Sequence, residues 1–426
     1  MMITDSYSRR LLLKGLVAGS AGLAMGVGRA QTRLPDTVAQ LVLAKASDAI
    51  EPFRVSIPQA ALDDLRQRLQ LTRFPDQETT PGWAQGVPLT KARALVEYWL
   101  QRYDWRKFEA RINAYPQFRT RLDGLGIHFI HVRSRHPGAL PLLLTHGWPG
   151  SIVEFLNVIE PLTNPTAHGG KASDAFDVVI PSQPGFGFSD KPEAAGWDMA
   201  RTANAWAELM RRLGYQKWVA QGGDWGSGIT HALGHLRPDG LVAAHVNWPL
   251  VFPDKLPDDP TPQEKAAIDA ANDFFNNQMG YFMLQATRPQ TIGYSLADSP
   301  AGLAMWIYEK FQAWSDNRGN PEDAISDEAM LDNISLYWLT NTGASSARIY
   351  WQNKGTKPGF NAGRIELPMA ATIFPREIYR APRSWAQEHW PNLFYWNEVD
   401  RGGHFAAMEQ PQLFSEEMRR AFSRVR

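Results

Sequence analysis

Gln221-Gly222-Gly223-Asp224-Trp225-Gly226-Ser227 follows the apolar run "WVA" and leads into "GITHALGHL", a helix-forming pattern. Strand, glycine-bounded turn and helix together make the sharp elbow that lifts one side chain above the edge of a parallel sheet. The spacing is that of G-x-S-x-G, but Asp224 stands at the serine position. Capping of the following helix is the plainer explanation of such an aspartate, yet a cap does not require glycine on both sides of the turn. The substitution has a chemical logic. A serine attacking a saturated carbon would form an ether that water cannot readily cleave, whereas a carboxylate forms an ester that can be hydrolysed with the enzyme regenerated. Asp224 as nucleophile therefore suits epoxides or alkyl halides.

Around this elbow, strand-length apolar runs alternate with helical patterns: "IHFIHV", "LPLLLTHG", "FDVVIP", "KWVAQGG" and "LVAAHV". This alternation predicts an α/β fold with a mainly parallel sheet. From Pro253 to Gly363 the strands give way to aromatic-rich helical segments, and they resume with "LPMAATIFP" and "LFYWNEV". An interrupted sheet implies an inserted helical lid. Upstream, Pro58 opens a helix in which Leu62, Leu65 and Leu69 recur at helical spacing until Pro75. A second helix, over Thr90 to Tyr103, carries Ala94, Leu95, Tyr98 and Trp99 on one side. The expected organisation is a leader over 1–30, a linker over 31–49 and an N-terminal helical module over 50–120. The core then runs over 121–252, the lid over 253–363 and the rest of the core over 364–426.

The chain of 426 residues has 44 Lys plus Arg against 44 Asp plus Glu, so no net field favours nucleic acid or an anionic membrane. Its lack of cysteine excludes disulfides, thiolate catalysis and Cys-zinc sites. Arg9 and Arg10 precede a leucine run, Lys14 and a stretch of small apolar residues that resembles a twin-arginine export signal, with a cleavage position after Ala30. Lys14 and the glycines make this a poor permanent span, and no second long apolar run follows. The expectation is a periplasmic or secreted soluble protein with no stable membrane anchor, whose contact with other macromolecules is the export machinery. Oligomeric state is not readable.

Hydrolysis of an Asp224 ester needs a base for water. His404, in "DRGGHFAAMEQP", follows the last strand, where this chain order puts the histidine. Glu377, just past "MAATIF", is the candidate to hold the imidazole tautomer. The alternative acid position, after "LVAAHV", carries Asn247 and offers no carboxylate before Asp254. The backbone N–H groups of Trp225 and of Trp148, the latter in "HGWPGS", are candidate oxyanion donors. Pro149 pins that turn and is a candidate for a cis bond.

HGWPGS, GFGFSD (Gly185 to Asp190), GGDWGS, FPRE and RGGHFAAME, in this order, resemble the microsomal-type epoxide hydrolases of the α/β-hydrolase fold. "PFRVSIPQAALDDLRQRLQLTRFPD" is similar to that family's N-terminal module. The resemblance implies two lid tyrosines that bind the epoxide oxygen and protonate the leaving alkoxide. The matching positions are Tyr281 in "GYFMLQ" and Tyr350 in "SSARIYW". It further implies that an apolar epoxide and water become a vicinal diol, with no metal or organic cofactor. GFGFSD lacks dinucleotide-binding spacing. Trp148, Trp225, Phe186 and Trp338 are expected to line an apolar substrate pocket. Two other readings stand beside this one. A haloalkane dehalogenase would share the Asp elbow, with the Trp225 indole on the halide, and a non-catalytic binder would use the scaffold for a hydrophobic ligand.

Overall fold

The computed structural model describes residue 41, residues 43–354 and residues 363–426. The expected leader and the first part of the linker lie outside the described residues. Among the described residues nine strands form one sheet: β1 (Glu51–Phe53), β2 (Gln117–Leu122), β3 (Leu125–Val132), β4 (Leu140–Thr145), β5 (Phe176–Pro181), β6 (Trp218–Gly222), β7 (Leu241–Val246), β8 (Met369–Ile373) and β9 (Leu393–Glu398). Their spatial order is β1-β2-β3-β5-β4-β6-β7-β8-β9. The strands from β5 to β9 are parallel, and β3 joins β5 antiparallel. Every residue of β4, β6 and β8 is buried, because crossover helices cover both faces and leave no polar side to the strand. That is why these segments read as continuous apolar runs.

All seven strands anticipated from apolar runs are present. β1 and β2 are additional, so the sheet starts before residue 121. β2, "QFRTRL", reads as polar, but its charges are neutralised by specific partners: Arg119 pairs with Asp190 at 2.5 Å and Arg121 with Asp48 at 2.9 Å. Between β7 and β8 the described residues form helices and loops only, including Gly280–Thr287, Pro300–Trp314, Asp327–Leu339 and Gly343–Asn353.

The N-terminal helices Gln59–Gln70, Leu89–Gln101 and Trp105–Ile112 pack against this lid. Tyr103 donates to Asp332 at 2.9 Å, Arg68 pairs with Asp298 and Lys91 with Glu322. The segment after β1 is clipped to the third helix. Asn113 Oδ1 accepts from the Val55 N–H at 2.9 Å, and its Nδ2 donates to the Val55 carbonyl at 2.8 Å. Val55 is buried, so its peptide groups have little access to water if that amide is removed. Asn113→Ala is expected to cost about 3 kcal/mol from the two orphaned groups, measured as a lowered urea midpoint at unchanged slope.

Candidate active site

The Asp224 position is built by backbone geometry. Asp224 has φ 51° and ψ −128°, left-handed φ for a side chain with a Cβ. Such a residue persists only where its surroundings hold it. A Cβ at Gly222 would run into the Gly226 carbonyl, and one at Gly226 into the Thr145 carbonyl. Glycine at those two points allows β6 to turn straight into the helix Trp225–Leu236 and that helix to pass against the end of β4.

The turn aims the Asp224 carboxylate at two loops. Oδ1 accepts from the Trp148 N–H at 2.7 Å, and Oδ2 lies 3.2 Å from His404 Nε2. His404 Nδ1 meets Glu377 Oε1 at 2.5 Å, an oxygen that also accepts from the Ile378 N–H. The His404 and Glu377 side chains are almost fully buried. Trp248 and Trp314 lie edge-on to the imidazole at ring separations of 5.5 and 5.1 Å. Burial opposes charge on His404, but Glu377 and then Asp224 outweigh it and hold the imidazole well above its ordinary value.

The Trp148 loop is set from below. His146 accepts from the Gln183 N–H through Nε2, and burial pushes it down to about 4, so it is neutral. The Trp148–Pro149 peptide is cis. Trp225 opens the elbow helix and so contributes its N–H to the positive end of the helix dipole.

Tyr281, on Gly280–Thr287, and Tyr350, on Gly343–Asn353, face Asp224 from the lid. The Trp148 indole organises both rings, stacking on Tyr281 at 5.2 Å and meeting Tyr350 edge-on at 5.6 Å. The Tyr281 and Tyr350 rings meet edge-on at 5.8 Å, and the Trp225 ring meets Tyr350 edge-on at 4.8 Å. Burial, with the Asp224 charge adding to it, pushes both phenols well above their ordinary value. Both are therefore protonated at neutral pH.

Asp224, Trp225, Tyr281 and Tyr350 converge on a narrow apolar cavity lined also by Met199, Trp248, Leu250, Phe274 and Phe282. Three expected lining residues are elsewhere: Trp148 packs behind the two tyrosines without lining the cavity, and Phe186 and Trp338 lie farther off. Phe186 turns into the core, 5.3 Å from the His146 ring and 6.1 Å from Tyr337, where it braces the loop that carries Trp148. Trp338 lies beneath the Arg68 guanidinium, at the seam between lid and N-terminal helices. Of the missed residues, Trp248 had a signal: it follows the carboxyl end of β7, where open α/β sheets form ligand crevices. Met199, Phe274 and Phe282 carry no comparable mark. Asn247 accepts from Gln221 at 2.9 Å, and Asp254 is exposed.

Another buried carboxyl, Glu154, has no counterpart in the sequence reading. Burial drives it up to about 8, although the His404 charge and the Ser151 and Gly147 backbone pull the other way. Among the described residues no three His, Asp or Glu side chains are grouped so as to hold a metal ion.

Residues 50–155 match the family described as Epoxide hydrolase N terminus, and residues 141–411 match the alpha/beta hydrolase fold. The chain is 59% identical over 425 residues to a Stigmatella aurantiaca (strain DW4/3-1) protein named "Putative epoxide hydrolase", covering 100% of this chain and 96% of that one. It is 34% identical to "Epoxide hydrolase 1" of Sus scrofa, covering 88% and 89% of the two chains. The solved Aspergillus niger epoxide hydrolase superposes with a TM-score of 0.78 at 32% identity, covering 90% of this chain and 98% of that one.

Because Asp224 is one of the two anions that raise His404, its neutralisation has a definite sign. In Asp224→Asn the imidazole is expected to titrate at lower pH than in the wild type, losing its proton earlier as pH rises. Histidine-labelled NMR titration, with His404→Gln to assign the resonance, checks this. An unchanged or higher value would contradict the pairing.

Proposed function

The chain belongs to the epoxide hydrolase family of the α/β-hydrolase fold, and on that premise we propose that it converts an apolar epoxide and water to a vicinal diol through an ester on Asp224. The observation carrying this reading is the opposition, across one apolar cavity, of a carboxylate hydrogen-bonded to a buried histidine and two protonated phenols. The two protonated phenols face Asp224 and can supply the proton that an epoxide oxygen needs on opening and a departing halide does not. This favours an epoxide over a haloalkane.

In the first step Asp224 Oδ2 bonds to an epoxide carbon. The C–O bond breaks toward oxygen, which takes a proton from the tyrosine pair. Ester formation removes the Asp224 charge, one of the two anions holding His404 protonated. The imidazolium can then return a proton to the phenolate through water, leaving a neutral base. In the second step His404 takes a proton from water as hydroxide adds to the ester carbon. The oxyanion forms on Oδ1, where the Trp148 N–H already sits at 2.7 Å, and the Trp225 N–H is the second donor. Such donors act without reorganisation in a water-excluded site. Collapse releases the diol, whose oxygen recovers the proton from His404, and the proton brought in by the hydroxide passes from the Asp224 carboxyl to His404, restoring the resting pair. Glu377 keeps the imidazole oriented throughout.

His404→Gln is expected to accumulate a covalent adduct on Asp224 whose mass equals the whole epoxide, read by intact and peptide mass spectrometry after exposure to mixed epoxides and haloalkanes. An adduct lacking its halogen would transfer the case to dehalogenation. No adduct from any compound would favour the binding role. Tyr281→Phe or Tyr350→Phe should slow adduct formation by about 100-fold.

We also read residues 1–30 as an export leader. Changing Arg9 and Arg10 to Lys should retain the protein in the cytoplasm of an expressing bacterium, and unchanged export on fractionation would reject the twin-arginine route.

A further inference from the structure

One charged group beside the site has no part in the mechanism so far. Lys310 lies in the C-terminal part of the lid helix Pro300–Trp314, and its side chain is only 7% exposed. Burial alone pulls a lysine down, and here the pull is opposed by Glu309, whose Oε2 is 2.6 Å from Nζ. A buried lysine is costly to keep charged, so its surroundings matter. Nζ stands 4.2 Å from the centroid of the Tyr281 ring and 5.3 Å from that of Trp314. The Tyr281 ring thus touches both the Trp148 indole, at 10° between ring planes, and this ammonium.

We infer that Lys310 assists epoxide opening by stabilising the charge that develops on Tyr281 as its proton moves to the epoxide oxygen, an inference that rests on the role proposed above for Tyr281. In the resting enzyme the ammonium meets a neutral ring and gains an ordinary cation–π attraction. During ring opening, the electron pair of the breaking C–O bond takes the phenolic proton, and the pair left on the phenolic oxygen delocalises into the ring beneath Nζ. A cation interacts more strongly with that ring than with the neutral one, so the gain is larger in the transition state than in the ground state. Glu309 opposes this effect, since its charge disfavours phenolate. Its side chain is 32% exposed and lines a solvent-open cleft, so its field is screened more than that of the buried ammonium. Lys310 touches no reacting atom. It acts through Tyr281 and is a positioning residue for charge.

The inference separates the two chemical steps. Hydrolysis of the ester places its negative charge on Asp224 Oδ1, away from the tyrosine ring, so Lys310 should matter to alkylation and not to hydrolysis. The experiment is a single-turnover rapid-quench series on the full chain with styrene oxide as probe, the adduct and its decay followed by intact mass. Lys310→Met is expected to slow adduct formation by about 10- to 30-fold, leave adduct decay within about 2-fold, and be largely rescued in Lys310→Arg. In a Tyr281→Phe background, Lys310→Met should add less than about 2-fold, because the ring no longer acquires phenolate charge. Equal slowing of both steps, or an undiminished Lys310→Met effect in the Tyr281→Phe background, would overturn the inference and leave Lys310 a packing residue. If Tyr281→Phe alone leaves adduct formation unchanged, it is the reading of Tyr281 that fails. Lys310→Gln carries the same test should the Met variant not fold.

Discussion

Asp224 sits at φ 51°, a backbone region that costs a residue with a Cβ on the order of 1–3 kcal/mol, and most of the surrounding architecture answers that constraint. Its carbonyl accepts from the Ser227 N–H at 2.9 Å, closing the first turn of the elbow helix. Its carboxylate is held at one oxygen by a main-chain N–H and at the other by an imidazole. Glycines before and after it give way where a side chain would collide with backbone. Relaxing the strain would swing the carboxylate away from both loops. The conformation is therefore held by the same contacts that make the carboxylate useful.

Trp148 links the two halves of the site. Its N–H touches the carboxylate from the sheet side, and its indole orders the two lid phenols. The lid is tied to His404 as well. The His404 N–H donates to the Trp314 carbonyl at the end of Pro300–Trp314, while Glu409 accepts from both Asp316 and Phe405. The helix that presents Trp314 and Lys310 thus shares its terminal hydrogen bonds with the histidine loop. Aromatic rings on both sides of the imidazole keep bulk water out, so each charge here acts at lower effective dielectric than at the surface.

What could be read from the chain beforehand followed from constraint by type and spacing. A parallel strand buried on both faces must be continuously apolar, so β4, β6 and β8 announced themselves, and the remaining strands from β3 to β9 were apolar enough to be read with them. The elbow needs glycines around its central residue, so Asp224 was visible, and chain order then pointed to His404 and Glu377. β2 was not visible, because Arg119 and Arg121 are neutralised by Asp190 and Asp48, which are remote in sequence. The cavity wall was read only in part. Phe186 and Trp338 are as aromatic as Trp248, and only the turn at Gly185–Gly187 and the docking of the N-terminal helices send them elsewhere. Glu309-Lys310 reads as an exposed charged pair. Nothing in its composition says that Lys310 points inward beneath a tyrosine.

Burial has opposite effects on the groups gathered here, and that opposition gives the site its direction. Two carboxylates this close to one imidazole favour its charged form, so the resting site holds a cation between two anions. The phenols, desolvated and facing Asp224, are poor acids at rest and cannot lose their protons to water. In the proposed mechanism only a base as strong as an opening alkoxide takes one, and it exists only once the carboxylate has attacked. At that moment the Asp224 charge is being consumed in a bond, and one source of the tyrosines' raised pKa disappears with it. The phenols thus become better acids as the reaction needs them to, and the imidazole becomes a better base for the step that follows. A solvated site would blunt both changes, because water would screen each group from the loss of its neighbour's charge.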